Sequence, residues 1–161
     1  MKKLMLFLSI ISASGLVMIT IYNLLVDANS CGSNIPSSIQ TARDYYRQVD
    51  PRNFFQIMAP INQFLILVTI ILFWKDSVSL RLYFLIAFIL YAIIAILTFV
   101  YFIPRDMIIF TSPIENTEHI ERALSQWKQM NWVRSILGLA GVLCTFKGLD
   151  CFYNMQKRSG D

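Results

Sequence analysis

The residues best suited to chemistry in this chain are an Asn and an Arg at the mouth of a long apolar run, in Trp127-Lys128-Gln129-Met130-Asn131-Trp132-Val133-Arg134. Trp127, Asn131 and Arg134 recur at i, i+4 and i+7, so a helix carries them on one face. The stripe continues down the same helix as Gly138, Gly141, Thr145, Gly148 and Phe152. A charge followed by glycines is a poor surface to turn toward lipid. It is a good one to turn toward other helices, because small residues let backbones approach. Two readings of Arg134 follow. It snorkels to water and bonds the helix-end carbonyls of its neighbours. Alternatively it faces the interior and holds an anionic or enolate-like oxygen, oriented by Asn131 and Asn62. The glycines favour the inward direction.

The elements that position these residues are membrane spans. The chain has 161 residues, 56% of them apolar and 15% charged. A soluble domain carries about 45–50% apolar and about 25% charged residues. Here the excess lies in long runs, the membrane signature. The formal charge of +4 is small and its Lys and Arg residues are scattered, so no nucleic-acid partner is expected. Three cysteines without a CxxC give neither a disulfide framework nor a thiol redox motif. Cys144 and Cys151 read as packing residues. Cys31 lies alone in a polar stretch and reads as a free thiol, with an intermolecular bridge as the alternative.

Four spans are predicted, near residues 4–26, 54–74, 82–103 and 131–153. The first begins like a signal peptide, with Lys2-Lys3 and a small-residue stretch Ser12-Ala13-Ser14-Gly15. Its apolar run continues well past Gly15, beyond the roughly 7–15 residues of a signal h-region, so it reads as an uncleaved span. A polar segment, Asp27 to Asn53, follows. Within it Ser37 and Gln40 have capping-box spacing. Ile39, Ala42, Tyr46 and Val49 then share one face of a short amphipathic helix, on the membrane or over the bundle mouth. Asp50-Pro51 starts the second span as N-cap and N1. The short link Lys75–Arg81 makes spans two and three antiparallel neighbours. Pro104-Arg105-Asp106 is expected to close the third. Ser112-Pro113-Ile114-Glu115 and Thr117-Glu118 are two helix-start signals. The helix from Thr117 runs to about Gln156, about 60 Å at about 1.5 Å per residue, so its first turns stand outside a core about 30 Å thick.

The expected fold is therefore an all-α integral membrane protein, a four-transmembrane-helix up-down bundle whose long first outer loop carries a short amphipathic helix. Four spans put both termini on one side. Lys and Arg divide equally between the two sides, but five of the six lysines lie on the terminal side. Both termini are expected in the cytoplasm of a multi-pass cell-membrane protein. Span polarity then makes Asn23, Asn62, Gln63, Thr98, Tyr101, Asn131 and Arg134 converge at the outer end, leaving the cytoplasmic half almost wholly apolar. Asn62, Trp127, Asn131, Arg134, Tyr46, Asn23 and Tyr101 are the candidate ligand-binding residues, and His119 and Asp106 the candidate rim residues. The expected partners are membrane lipid and a small apolar or anionic ligand. One His with scattered Asp residues offers no metal-ligand spacing, and no cofactor is expected.

Two of these stretches resemble the anthrone-oxygenase-like membrane family: Phe55 through Asn62, with its Pro-x-Asn, and Trp127-x-x-x-Asn131-x-x-Arg134. The resemblance implies a four-span bundle of this length and a cofactor-free oxygenation, in which a base removes an acidic C–H from a polycyclic ketone and the carbanion meets O₂. It also implies a His within the span-four motif. This chain has Asn131 there, which is no base, and Pro104-Arg105-Asp106 lacks the Asn of a second Pro-x-Asn. Asp106 or Asp44 would then have to serve as base. The alternative is a non-catalytic membrane scaffold or accessory subunit whose polar cluster only fixes helix packing.

Overall fold

The structure, a computed structural model, describes residues 2–160, with side chains to residue 157. It is all helical. Four helices are long and apolar enough to cross a membrane. Span 1 is α1 (Lys2–Tyr22), a π turn (Asn23–Asp27) and the short α2 (Ala28–Cys31). A cap helix, α3 (Ser37–Gln48), follows. Span 2 is α4 (Arg52–Leu72). Span 3 is α5 (Val78–Leu97), a second π turn (Thr98–Phe102) and α6 (Ile103–Thr111). Span 4 is α7 (Thr117–Gly160).

Spans 1 and 3 each pack against spans 2 and 4. Chain neighbours therefore touch, and the span 1–span 4 contact closes the ring, as in an up-down bundle. Lys3 Nζ lies 5.7 Å from the Tyr153 ring centre, so both ends of the chain share one end of the bundle. Lys2 pairs with Asp76 at 2.5 Å and ties in the link between spans 2 and 3. We call this the terminal end and the opposite one the distal end.

The stripe on α7 faces inward. Asn131, Arg134, Gly138, Gly141, Thr145, Gly148 and Phe152 are all buried, and Trp127 is half-buried. Its glycines are where neighbours come closest. A Cβ on Gly138 would stand 2.9 Å from Val17 of span 1, and one on Gly141 would stand 2.8 Å from the Tyr91 ring of span 3. The Tyr91 hydroxyl then lies 3.2 Å from the Ala13 carbonyl and 3.3 Å from the Gly138 carbonyl, joining spans 1, 3 and 4 in mid-bundle. The outward faces are apolar, with Ile11, Met18, Ile57, Phe64, Ile71, Ile96 and Ile136 exposed.

Several sequence expectations need correction. Span 1 does not end near Val26 but runs to Cys31, because Asp27 and Asn29 are polar without being helix breakers and the first breaker is Gly32. Pro104 does not close span 3. It has no N–H to continue the α ladder, and the π turn before it absorbs the break. Ile103 N–H closes on the Thr98 carbonyl, and Arg105 Nη1 donates to the Tyr101 carbonyl at 3.0 Å. Ser112-Pro113 starts no helix. Ser112 is held extended before Pro113, and the next residues form a turn closed by Asn116 N–H on the Pro113 carbonyl. The Ser37–Gln40 capping box is not made. The Ser37 hydroxyl donates to the Asn34 carbonyl, Ser38 donates to the Cys31 carbonyl, and Gln40 donates to Asp44. Span 2 starts one residue later than expected, at Arg52 with Pro51 rather than Asp50 as N-cap, though the Asp50 carboxylate does accept the Arg52 N–H at 2.8 Å.

Cys31 is not in an open loop. It is buried with Ile39, Ile109, Ile120, Ala123 and Leu124 in a second core at the distal end. This core is built from α3, α6 and the first turns of α7, so α3 covers the bundle mouth. Arg43 on α3 fixes it there, its Nε and Nη2 donating to the Ile109 carbonyl at 3.1 and 2.7 Å. The terminal half is also less apolar than its composition suggests. Ser9 and Thr69 bond each other at 2.8 Å between spans 1 and 2, and Thr145 is buried. Thr145 donates to the Val142 carbonyl of its own helix, and one of Ser9 and Thr69 donates to a carbonyl of its own helix while the other donates across to it, which conceals their polarity.

Candidate functional site

At the distal end, below the cap, three side chains from two spans meet the interior. Asn62 lies at the end of the third turn of span 2, two residues after Pro60. Asn131 and Arg134 come from α7, one turn apart. Asn62 and Asn131 are 0% exposed and Arg134 is 8% exposed. An Arg on a span normally reaches water or a carboxylate. This one makes no ion pair among the described residues, and its Nε is fully buried without a partner.

Aromatic rings enclose its guanidinium. The Cζ atom lies 4.2 Å from the centre of Phe102, 5.8 Å from Trp127 and 5.9 Å from Phe55. Phe102 ends the π turn of span 3, Phe55 opens span 2, and Trp127 lies two turns before Arg134 on α7. Phe102 and Trp127 pack edge to face at 5.9 Å. The ring faces supply negative potential where the chain supplies no oxygen.

The hydrogen-bonding capacity of the cluster is largely unused. Arg134 Nε, both amide atoms of Asn62, Gln63 Oε1 and Asn131 Oδ1 are buried with no partner. Asn131 Nδ2 reaches the Thr20 carbonyl of span 1 at a long 3.5 Å, and Gln63 Nε2 reaches the Phe88 carbonyl at the same distance. An unpaired buried polar atom costs about 1–3 kcal/mol, so this concentration of donors and acceptors is expensive unless something else satisfies it. The set is chemically mixed. A guanidinium N–H and amide N–H groups offer donors, and three amide oxygens offer acceptors. It suits a ligand that carries both a hydroxyl and a carbonyl or anionic oxygen.

One carboxylate stands by. Asp106 lies one turn beyond Phe102, half-buried, with Arg134 and Arg52 as its positive electrostatic neighbours. Arg134 and Asp106 feel each other without a direct ion pair. Arg52 is instead tied to Asp50, at 2.7 Å.

The other expected site residues are placed as follows. Tyr46 on α3 stacks on Phe110 at 5.1 Å and forms part of the lid rather than a wall beside Arg134. Burial, followed by the nearby charge of Asp27, pushes its phenol up from the ordinary value, so it stays a neutral donor. Tyr101 is half-buried. Arg105 stacks over its ring and its hydroxyl donates to the Gln126 carbonyl at 3.4 Å. Asn23 is half-buried in the π turn of span 1, and no hydrogen bond joins it to Asn62, Asn131 or Arg134. His119 is exposed beside Asn116, Glu118 and Arg122 in a shallow surface cleft. It stands about 22 Å along α7 from Arg134, at about 1.5 Å per residue. Thus Phe55, Phe102 and Trp127 gather around Arg134 with Asp106 as its neighbouring carboxylate, Asn62 and Asn131 are buried at the same end of the bundle, and His119 lies apart from them. Sequence reasoning missed the rings of Phe102 and Phe55. Phe102 had one available signal, a position one turn before Asp106 on the same helix.

A family model described as anthrone oxygenase matches residues 52–144 of the chain. The match contains Asn62, Phe102, Asp106, Trp127, Asn131 and Arg134. No curated protein and no solved structure matches the chain.

Proposed function

The chain belongs to the anthrone oxygenase family, and we propose that it holds a small oxygen-bearing ligand among Asn62, Asn131 and Arg134 at the distal end of its bundle. The observation that carries this reading is the set of buried, unpartnered polar atoms around a guanidinium caged by aromatic rings. A ligand oxygen would take the Arg134 Nε–H, and the amides of Asn62 and Asn131 would fix its orientation. Planar apolar parts of the ligand would lie against Phe102, Phe55 and Trp127. The family description points to a polycyclic ketone whose enolate oxygen is the group for Arg134. The reaction it names is oxygenation, which on such a ketone begins with loss of a proton from carbon. In a cell membrane with both termini cytoplasmic, this site opens toward the outer leaflet and lipid surrounds the bundle.

The test uses the full chain in detergent with anthrone as the probe. Arg134→Gln is expected to fold and to weaken binding about 10- to 100-fold, since a hydrogen bond to a charged group is worth about 1.5–3 kcal/mol. Unchanged binding would remove the site reading. A scaffold role is the second reading, favoured by the Asn131 contact with the Thr20 carbonyl between spans 4 and 1. It calls for the opposite result, a loss of thermal stability with no ligand bound by the native chain.

A further inference from the structure

The polar side chains of the site, Asn62, Asn131 and Arg134, are amides and a guanidinium, none of which takes up a proton at neutral pH, so the proton acceptor of the site must come from elsewhere. We propose that Asp106 is that acceptor. The inference rests on the ligand site described above and deepens it.

The carboxylates divide cleanly by surroundings. Asp50 is committed to Arg52, bonding it through both oxygens. Asp44 is exposed on α3, accepts from Gln40 and pairs with Arg47 at 3.5 Å. Asp76 is committed to Lys2 at the terminal end. Asp150 pairs with Lys147 at 3.7 Å on the surface of that end. Glu115, Glu118 and Glu121 are exposed in or after the turn before α7. Asp27 is half-buried on span 1 beside Cys31 and Tyr46, away from the guanidinium cage. Asp106 alone among these has Arg134 as a neighbour.

Its placement follows from span 3. Phe102 is 1% exposed and lies against the Arg134 guanidinium. Asp106 is four residues on and Ile109, also buried, seven residues on, so all three lie on one helix face. The same π turn that lets the helix pass Pro104 therefore presents a ring and a carboxylate to the cage. The charged and titratable groups around Asp106 are Arg134 from α7, Arg52 from the start of span 2, Asp50 from the link before it and Tyr46 from α3.

The step is a simple proton transfer. An Asp106 carboxylate oxygen forms a bond to the acidic hydrogen of the ligand, and the ligand's C–H or O–H bond breaks. The electron pair of that bond stays on the ligand as an enolate or phenolate, with its negative charge on the oxygen held by Arg134. The proton rests on Asp106 as a neutral carboxyl.

The experiment follows anthrone bound to the full chain in detergent under argon, reading binding by tryptophan fluorescence and deprotonation by the visible band of the enolate. In the native chain the enolate is expected to form at a pH below that required in free solution. Asp106→Asn should keep binding while lowering enolate formation at neutral pH by about 100-fold, the lower range for a general base. Asp106→Glu should restore part of it. Independently of any variant, the infrared difference spectrum of the native chain on anthrone binding should gain a protonated-carboxyl stretch. Enolate formation by Asp106→Asn at the native level, or no carboxyl stretch, would overturn the assignment. Failure of the native chain to bind anthrone, or native-level binding by Arg134→Gln, would remove the site itself and the proposal with it.

Discussion

Replacing Arg134 by Met asks whether the guanidinium is kept for stability or for a ligand. A charged side chain at the centre of a span costs roughly 2.5–3.5 kcal/mol on insertion scales, and less toward its end. Its unpartnered Nε adds about 1–3 kcal/mol. Against this stands the cation–π contact with Phe102 at 4.2 Å, worth about 2 kcal/mol when desolvated. Trp127 and Phe55 lie near the limit of that interaction and add less. The costs exceed the gain. Methionine has similar reach and makes favourable sulfur–aromatic contacts of about 0.3–1.5 kcal/mol with the same rings. Asp106 is the carboxylate that feels Arg134, so the comparison is made with Asp106→Asn in both chains, leaving no buried carboxylate without its positive neighbour. In that background Arg134→Met is expected to stabilise the empty protein by about 1–3 kcal/mol, as when other buried charge pairs are replaced by apolar residues of like size. Reversible unfolding in mixed micelles measures this, with ligand-free Asp106→Asn as reference. A loss of more than about 1 kcal/mol would refute the reasoning, because the net contribution of the charge to packing would then be favourable.

The glycine stripe gives a second expectation with an internal control. A Cβ at Gly148 would fall on the Phe84 ring, whereas one at Gly15 would meet nothing within 4 Å. Gly148→Ala should lose stability, overpacking of about 1–3 kcal/mol outweighing a helix-propensity gain of about 1 kcal/mol. Gly15→Ala should show the gain alone, and equal effects in thermal unfolding would contradict the packing. Third, the hydrogen bond from Arg52 holds the Asp50 carboxyl below its ordinary value. Its contribution is then fully present above the unfolded value, about 3.9, and is lost as pH falls through the lower folded value. A pH series of melting temperatures should fall more steeply below about pH 4 for the native chain than for Asp50→Asn.

What the sequence determined by itself is what repeats along a helix. Runs of apolar residues set the four spans, because a membrane core admits only long stretches with internally satisfied backbones. The four-and-three spacing from Trp127 to Phe152 set the inward face of α7, because glycines and a charge are unfavourable against lipid. Alternating span direction brought Asn62, Asn131 and Arg134 to one end. What only the tertiary structure decided depends on contacts between helices. Pro104 and Val26 looked like span limits, yet π turns carry both helices onward, because a local register shift depends on what the helix packs against. Ser9, Thr69 and Thr145 looked incidental until their burial was seen. Tyr101 and Phe102 are adjacent aromatic residues, and nothing in their types tells which one meets Arg134. Span 3 buries Phe102 against Arg134, whereas Tyr101 is half-buried under Arg105. That choice, made by packing against α7, gives the buried Arg134 of Trp127-x-x-x-Asn131-x-x-Arg134 its aromatic cage and its neighbouring carboxylate.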